Sequence, residues 1–421
     1  MIHCQWRWIS GLISRRAGWM AFGILSASLA AIAPAAAANE PSLIAKGHYI
    51  SRLADCGACH TRIGGIAFAG GRPISTPFGT VTSTNITPDP DTGIGGWSDK
   101  EFYRAVTDGI GGHGEYLYPA MPFTFFTKMT RSDVLAVKAY LFSLKPIHAP
   151  RVPNKLEFPF DIRSSMVGWR TLYFHPGVYQ PNPKRSTEWN RGAYIVEGPG
   201  HCGACHSPRN IFGGTETQHS LAGAKIGEWL APNISADPRW GIGNWSVSKI
   251  VTFLKTGAQK KEGVAFGPMA GVVHNSLRYV STADLQAMAV FLKSGPERRP
   301  TVADKVASRR DLQHGQRLYL ENCSKCHQDN GRGFPGIVPN LAANAIVTSA
   351  HPDDVIDALL KSLHGTGNHG TMPSFAATLS DQDVADIANY VRSGWGNHAP
   401  TNATPALVAS IRSKAAAASQ K

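Results

Sequence analysis

Six of the seven cysteines fall into one repeated arrangement, Cys-x-x-Cys-His: Cys56-Gly-Ala-Cys59-His60, Cys202-Gly-Ala-Cys205-His206 and Cys323-Ser-Lys-Cys326-His327. Two thiols at this spacing can add across the two vinyl groups of a haem as thioethers. The adjacent histidine then reaches the iron from the same face. A tetrahedral zinc site would need two such pairs close together, but the pairs start 146 and 121 residues apart. A thioredoxin-like redox motif would need a βαβ pattern nearby, and the sequence has none. Disulfides across each pair would leave the histidine after every one unexplained. The expected cofactors are therefore three covalently bound haem c groups, with Cys56, Cys59, Cys202, Cys205, Cys323 and Cys326 as attachment points and His60, His206 and His327 as iron ligands.

A soft thioether is the expected sixth ligand, because methionine opposite histidine raises the haem potential and suits electron transfer. Met121, Met269 and Met372 occupy equivalent loop places 45 to 63 residues after their histidines. Met288, inside a helical pattern, reads as core filler. His113, His274, His364 and His369 fall in the same stretches but repeat in no register, so they read as loop or surface residues. Trp97 and Trp245 read equally as haem-pocket walls or as core aromatics. Arg62, Arg72 and Arg209 read as propionate partners or as solvated arginines. No acid/base pair, nucleophile triad or nucleotide fingerprint emerges, so no catalytic residue is expected.

The elements that position these residues are repeated too. An offset of 148 relates Asn85-Ile86 to Asn233-Ile234, Asp89-Pro90 to Asp237-Pro238, Gly93-Ile94-Gly95 to Gly241-Ile242-Gly243, and Met121 to Met269. A shorter third copy joins at Met372-Pro373. Each copy ends in a helical pattern opened by a cap three residues before an aspartate: Thr130/Asp133, Ser281/Asp284 and Ser380/Asp383. Gly47-x-Tyr49, Gly192-x-Tyr194 and Gly315-x-x-x-Tyr319 lie ahead of the cysteines, on what should be a leading helix. The expected fold is all-α: three tandem cytochrome c-type domains at 39–150, 186–298 and 299–398. Residues 151–185 form a linker and 399–421 a C-terminal tail.

At 421 residues, 43% of them hydrophobic, the chain can bury real cores, which excludes wholesale disorder. Residues 1–38 combine three arginines, an apolar stretch from Gly18 to Ala33 and an Ala-x-Ala site, the pattern of a secretory signal. The net charge of +13 would ordinarily prompt a search for nucleic acid. Losing the leader removes three arginines, and six haem propionates would offset much of the remainder, so no nucleic-acid partner is expected.

Over nearly its whole mature length the sequence resembles the triheme cytochrome c subunits of membrane-bound alcohol, gluconate, fructose and sorbitol dehydrogenases. The resemblance is carried by Asn85-Ile-Thr-Pro-Asp-Pro-Asp-Thr-Gly-Ile-Gly-Gly-Trp97, Leu117-Tyr-Pro-Ala-Met121-Pro122, Glu188-Trp-Asn-Arg-Gly-Ala-Tyr194, Gly200-His-Cys-Gly-Ala-Cys-His206-Ser-Pro-Arg209, Met372-Pro-Ser-Phe375 and Trp395-Gly-Asn397. It implies a large dehydrogenase subunit with a flavin or quinone cofactor as partner. It also implies transfer of electrons to ubiquinone or another respiratory acceptor, at the periplasmic face of the cytoplasmic membrane. The alternatives are a cytochrome partner of a molybdenum hydroxylase acting on aldehydes or N-heterocycles, a multihaem peroxidase, and a diffusing periplasmic shuttle. Unlike several relatives, the chain has only a faintly amphipathic C-terminus. It reads either as a weak interfacial helix with Arg412, Lys414 and Lys421 on its polar side or as a frayed tail.

Overall fold

The computed structural model describes residues 42 to 419, apart from 228, 260–262, 301–305, 336 and 364–369. The expected secretory leader lies outside the described residues.

Three leading helices, Leu43–Leu53, Thr187–Glu197 and Arg309–Asn322, run into the three cysteine motifs. Each starts at a serine whose hydroxyl accepts a backbone N–H three residues on: Ser42, Ser186 and Ser308. Three closing helices, Arg131–Phe142, Thr282–Lys293 and Asp381–Ser393, begin at the expected caps Thr130, Ser281 and Ser380. Leading and closing helices cross in pairs, and the crossing explains the glycines. A Cβ on Gly47 would lie 1.8 Å from the carbonyl oxygen of Ala136. The corresponding distances are 1.9 Å from Gly192 to Ala287 and 2.1 Å from Gly315 to Asp386. Only glycine permits backbones to meet this closely.

A hydrophobic cluster surrounds each crossing: Ile50, Phe102, Val134 and Leu141 at the first, Ile195, Leu254, Leu285 and Met288 at the second, Tyr319, Ile356, Ile387 and Val391 at the third. Met288 is thus core filler, as its helical setting suggested. A fully buried side chain such as Leu285 contributes about 1.5–3 kcal/mol over its exposed state. Leu53, from the first leading helix, is buried in the second cluster, and Tyr49 packs against both.

The internal repeat is a structural repeat. The Ile94 amide donates to Thr87 O at 3.0 Å and the Ile242 amide to Ser235 O at 2.9 Å. Gly95 and Gly243 donate to Asp89 O and Asp237 O, both at 3.1 Å.

The fold is largely helical but not all-α. Pro73–Thr76 and Gly79–Thr82 form an antiparallel hairpin, and Lys155–Leu156 adds a third strand. Ala224–Ile226 pairs with Trp229–Ala231, and Ala258–Gln259 with Gly263–Val264. The first hairpin is rich in β-branched residues (Ile74, Thr76, Thr80, Val81, Thr82) and turns at Gly79, whose φ is 113°. Strands this short leave too little period for a helix-oriented reading to register.

Residues 151–185 also pack against the hairpin and loops of the first segment. Besides the strand, they form a helix over Met166–Tyr173, and Arg163 donates to Tyr116 O at 2.6 Å. The C-terminal segment is not a frayed tail. It forms a helix over Pro405–Ser419 that buries Val408 and Ile411 in the third cluster, and Arg412 holds Asp381 at 2.8 Å. Among the described residues, no helix is long and apolar enough to cross a membrane.

Candidate haem centres

Each cysteine motif sits on one short helical turn: Cys56–His60, Gly203–His206 and Ser324–His327. Abrupt backbone reversals adjoin them. Asp55 and His201, just ahead of the first cysteines of the first two motifs, have φ of 50° and 35°, and Gln328, just after the third histidine, has 61°. All six cysteines are free. Burial pushes the Cys56 and Cys202 thiols up to about 12 and the Cys323 thiol to about 11. A thioredoxin-type nucleophile needs the opposite shift.

The histidines share one geometry. His60 Nδ1 lies 2.7 Å from Thr84 O, His206 Nδ1 2.7 Å from Pro232 O, and His327 Nδ1 3.2 Å from Pro339 O. A carbonyl only accepts, so each Nδ1 carries the proton and each Nε2 keeps its lone pair. Burial also lowers all three pKa values, which holds the rings neutral, as metal ligands must be. A backbone amide closes each motif from the other side: Gly70 to His60 O at 2.8 Å, Gly223 to His206 O at 2.8 Å, Gly333 to His327 O at 2.9 Å. Two thiols and one free imidazole nitrogen on a single turn are the donor set for covalent haem c.

Each expected methionine shares a hydrophobic cluster with its own first cysteine. Met121 joins Cys56, Met269 joins Cys202, and Met372 joins Cys323, all three methionines being half-buried. Met269 departs from expectation in lying on a helix, Gly267–Asn275, rather than in a loop. Pro268 in its first turn favours a helix start. Met372 is fixed by a two-way backbone bridge to Leu363. Of the rival histidines, His113 and His274 are exposed, and His364 and His369 lie outside the described residues. Trp97 and Trp245 pack against the first and second clusters. Arg62 and Arg209 are exposed, with Arg209 donating to Ala204 O, and Arg72 is half-buried.

The carbonyl acceptors escaped the sequence reading, although a signal was present. Thr84, Pro232 and Pro339 each precede an asparagine. The side chains of Asn85, Asn233 and Asn340 accept the amides of Thr87, Ser235 and Ala342 at 2.9, 2.8 and 3.0 Å, which turns the chain back towards the histidine.

Residues 312–395 match the cytochrome c family. The chain is 37% identical to the cytochrome c subunit of the quinone-type alcohol dehydrogenase of Gluconacetobacter polyoxogenes, over 93% of this chain and 88% of that one. It belongs to the family of dehydrogenase cytochrome c subunits. Another relative is the fructose dehydrogenase cytochrome subunit of Gluconobacter japonicus, 38% identical over 88% of this chain and 83% of that one. A nicotinate dehydrogenase subunit of Pseudomonas putida is 39% identical over 91% of this chain, which spans 33% of that longer protein. Membership in this cytochrome c subunit family implies covalently bound haem c.

Proposed function

We propose that this cytochrome c subunit carries three haem c groups and passes electrons from a periplasmic dehydrogenase subunit to ubiquinone or another respiratory acceptor. One observation carries the reading: the Nδ1–H of all three motif histidines is committed to a backbone carbonyl, so Nε2 is the nitrogen left for iron. The proposed centres are Cys56, Cys59, His60 and Met121; Cys202, Cys205, His206 and Met269; and Cys323, Cys326, His327 and Met372. The proposed domains are 39–150, 186–298 and 299–398, each containing one such set and most of one hydrophobic cluster, with Leu53 adding to the second cluster and the C-terminal helix to the third from outside those bounds.

Haem, when bound, supplies a one-electron couple. The chain's own part is to fix its surroundings. The thioether links prevent loss of the group, the carbonyls of Thr84, Pro232 and Pro339 orient the imidazoles, and the packed methionines offer a soft donor that favours the reduced state. The names of the alcohol and fructose dehydrogenase relatives support a partner that oxidises an alcohol, sugar or sugar acid. The secretory-signal pattern read in the sequence of residues 1–38 supports a periplasmic site of action.

The test is purification from detergent-solubilised membranes, determining both the haem count and the identity of the copurifying subunit. Three covalent haems per chain and a dehydrogenase subunit are expected. A count other than three, or a cytochrome recovered only by itself, would overturn the reading. The nicotinate dehydrogenase relative favours a second reading, in which the electrons come from a hydroxylase acting on N-heterocycles. A molybdenum rather than a flavin or quinone cofactor in the copurifying subunit would select it.

A further inference from the structure

The first and second helix pairs exchange one hydrogen-bonding device in both directions. Tyr49, on the first leading helix, donates to Asp284 Oδ2 at 2.6 Å and accepts the Ser281 amide at 3.2 Å. Tyr194, on the second leading helix, donates to Asp133 and accepts the Thr130 amide at 3.3 Å. Thus each tyrosine crosses to the other pair, where it meets the cap residue and the third-position aspartate of the closing helix. Each aspartate is also held by a cation three residues before the tyrosine of its own pair. Lys46 lies 2.8 Å from Asp133, and Arg191 grips Asp284 with two bonds of 2.8 Å. The exchange is isologous, as at a twofold dimer interface, but within one chain.

The third pair shows what such an aspartate does without a visiting tyrosine. Asp383 turns back on its own cap, accepting the Ser380 amide at 3.0 Å and hydroxyl at 2.7 Å in a closed capping box. In the first two pairs the amides of Thr130 and Ser281 go to the neighbour's tyrosine instead.

The same joint brings two cysteine motifs together. His201, beside Cys202, donates through Nε2 to Ala54 O at 3.3 Å, and its ring stacks edge-on against Phe126 at 5.4 Å. A Cβ on Gly203 would lie 2.9 Å from the Phe125 ring, so the second motif presses directly on the short helix Phe123–Phe126 of the first segment.

We propose that Tyr49 and Tyr194 are positioning residues that lock the first two Cys-x-x-Cys-His turns across one pseudo-twofold joint, fixing the haem pair they carry for direct electron exchange. This rests on the three-haem reading. The exchange needs no co-reactant, since one iron loses the electron that the other gains. The third centre stands outside the lock.

The test uses the full-length holoprotein with Tyr49→Phe, Tyr194→Phe and the double variant, which remove hydroxyls and keep the rings. Losing one hydroxyl bond to a carboxylate should open the joint roughly tenfold or more. Amide hydrogen exchange at Ser281 in Tyr49→Phe, and at Thr130 in Tyr194→Phe, should rise accordingly. In the Soret region, two haems fixed close together give a split circular dichroism signal, and the double variant should lose most of the splitting at unchanged haem content. Tyr319→Phe, whose hydroxyl donates within the third segment to Gln328 O, should leave the splitting intact. Unchanged exchange, unchanged splitting, or equal loss in Tyr319→Phe would overturn the proposal. If the double variant does not accumulate, the single variants carry the same test. Amide exchange reads the joint without reference to haem, while the haem count of the wild-type protein tests the underlying reading separately.

Discussion

A histidine ring can turn over, and which nitrogen it offers is decided by what holds the other. Here the same bond decides it three times, with the carbonyls of Thr84, Pro232 and Pro339 accepting the hydrogen bond from Nδ1–H. The cysteine motifs were legible because their chemistry is encoded in adjacent residues. The carbonyl acceptors were not, because every residue type carries a carbonyl and only the fold selects one. On the methionine side, Met269→Ala should remove the sulfur-to-iron absorption band from one of the three proposed haems, and an unchanged spectrum would refute the proposed ligand. Glycine at the helix crossings is equally testable. In Gly192→Ala the new methyl would meet the Ala287 carbonyl at 1.9 Å, and overpacking of this kind costs on the order of 1–3 kcal/mol. The thermal midpoint should fall, and an unchanged midpoint would mean that the crossing yields freely.

At the scale of elements, Arg392 organises the third segment. It has no exposed surface, and its guanidinium donates to the carbonyls of Val347, Ser349, His351 and Pro400 at 2.9 to 3.1 Å. Burial lowers its pKa to about 10. Arg392→Met would leave these carbonyls unpaired, with an expected loss of at least about 3 kcal/mol in chemical denaturation. The C-terminal helix belongs to the same core. Deleting residues 405–421 should therefore destabilise the third segment, and a deletion that leaves the denaturation midpoint in place would contradict the burial of Val408 and Ile411. Caps and periodicity made the closing helices readable in advance, because Thr130, Ser281 and Ser380 act through neighbours three residues away. The C-terminal helix was opaque for the converse reason. Its few apolar residues gain meaning only from the third cluster, and Arg412 from Leu379 and Asp381, partners distant in sequence but adjacent in space. The hairpins, held by two to four residue pairs each, were hidden by their brevity.

Across the whole molecule, the second and third segments meet at a titratable contact. Asp354 Oδ1 accepts the Leu230 amide at 2.8 Å, and Lys225 pairs with Asp353 at 2.9 Å. Burial raises the Asp354 carboxyl to about 7. The folded state therefore favours the protonated form more than the unfolded chain does. Its contribution is complete below the ordinary carboxylate range and is lost as pH rises through about 7. Stability should fall over that interval, and Asp354→Asn should flatten the profile; an Asn variant with the wild-type slope would place the titration elsewhere. The joint between the first two segments differs in kind. Through Tyr49 and Tyr194 each half supplies a hydroxyl that the other half's closing helix uses at its start. The chain thus contains, between its first two segments, an interface built like that of a twofold homodimer. A dimer can be diluted into its parts, but these segments cannot, so each half always has its partner at hand. The same tether makes damage shared: a substitution that unfolds one half withdraws a hydroxyl from the other, and the two should melt as one while the third keeps its own transition.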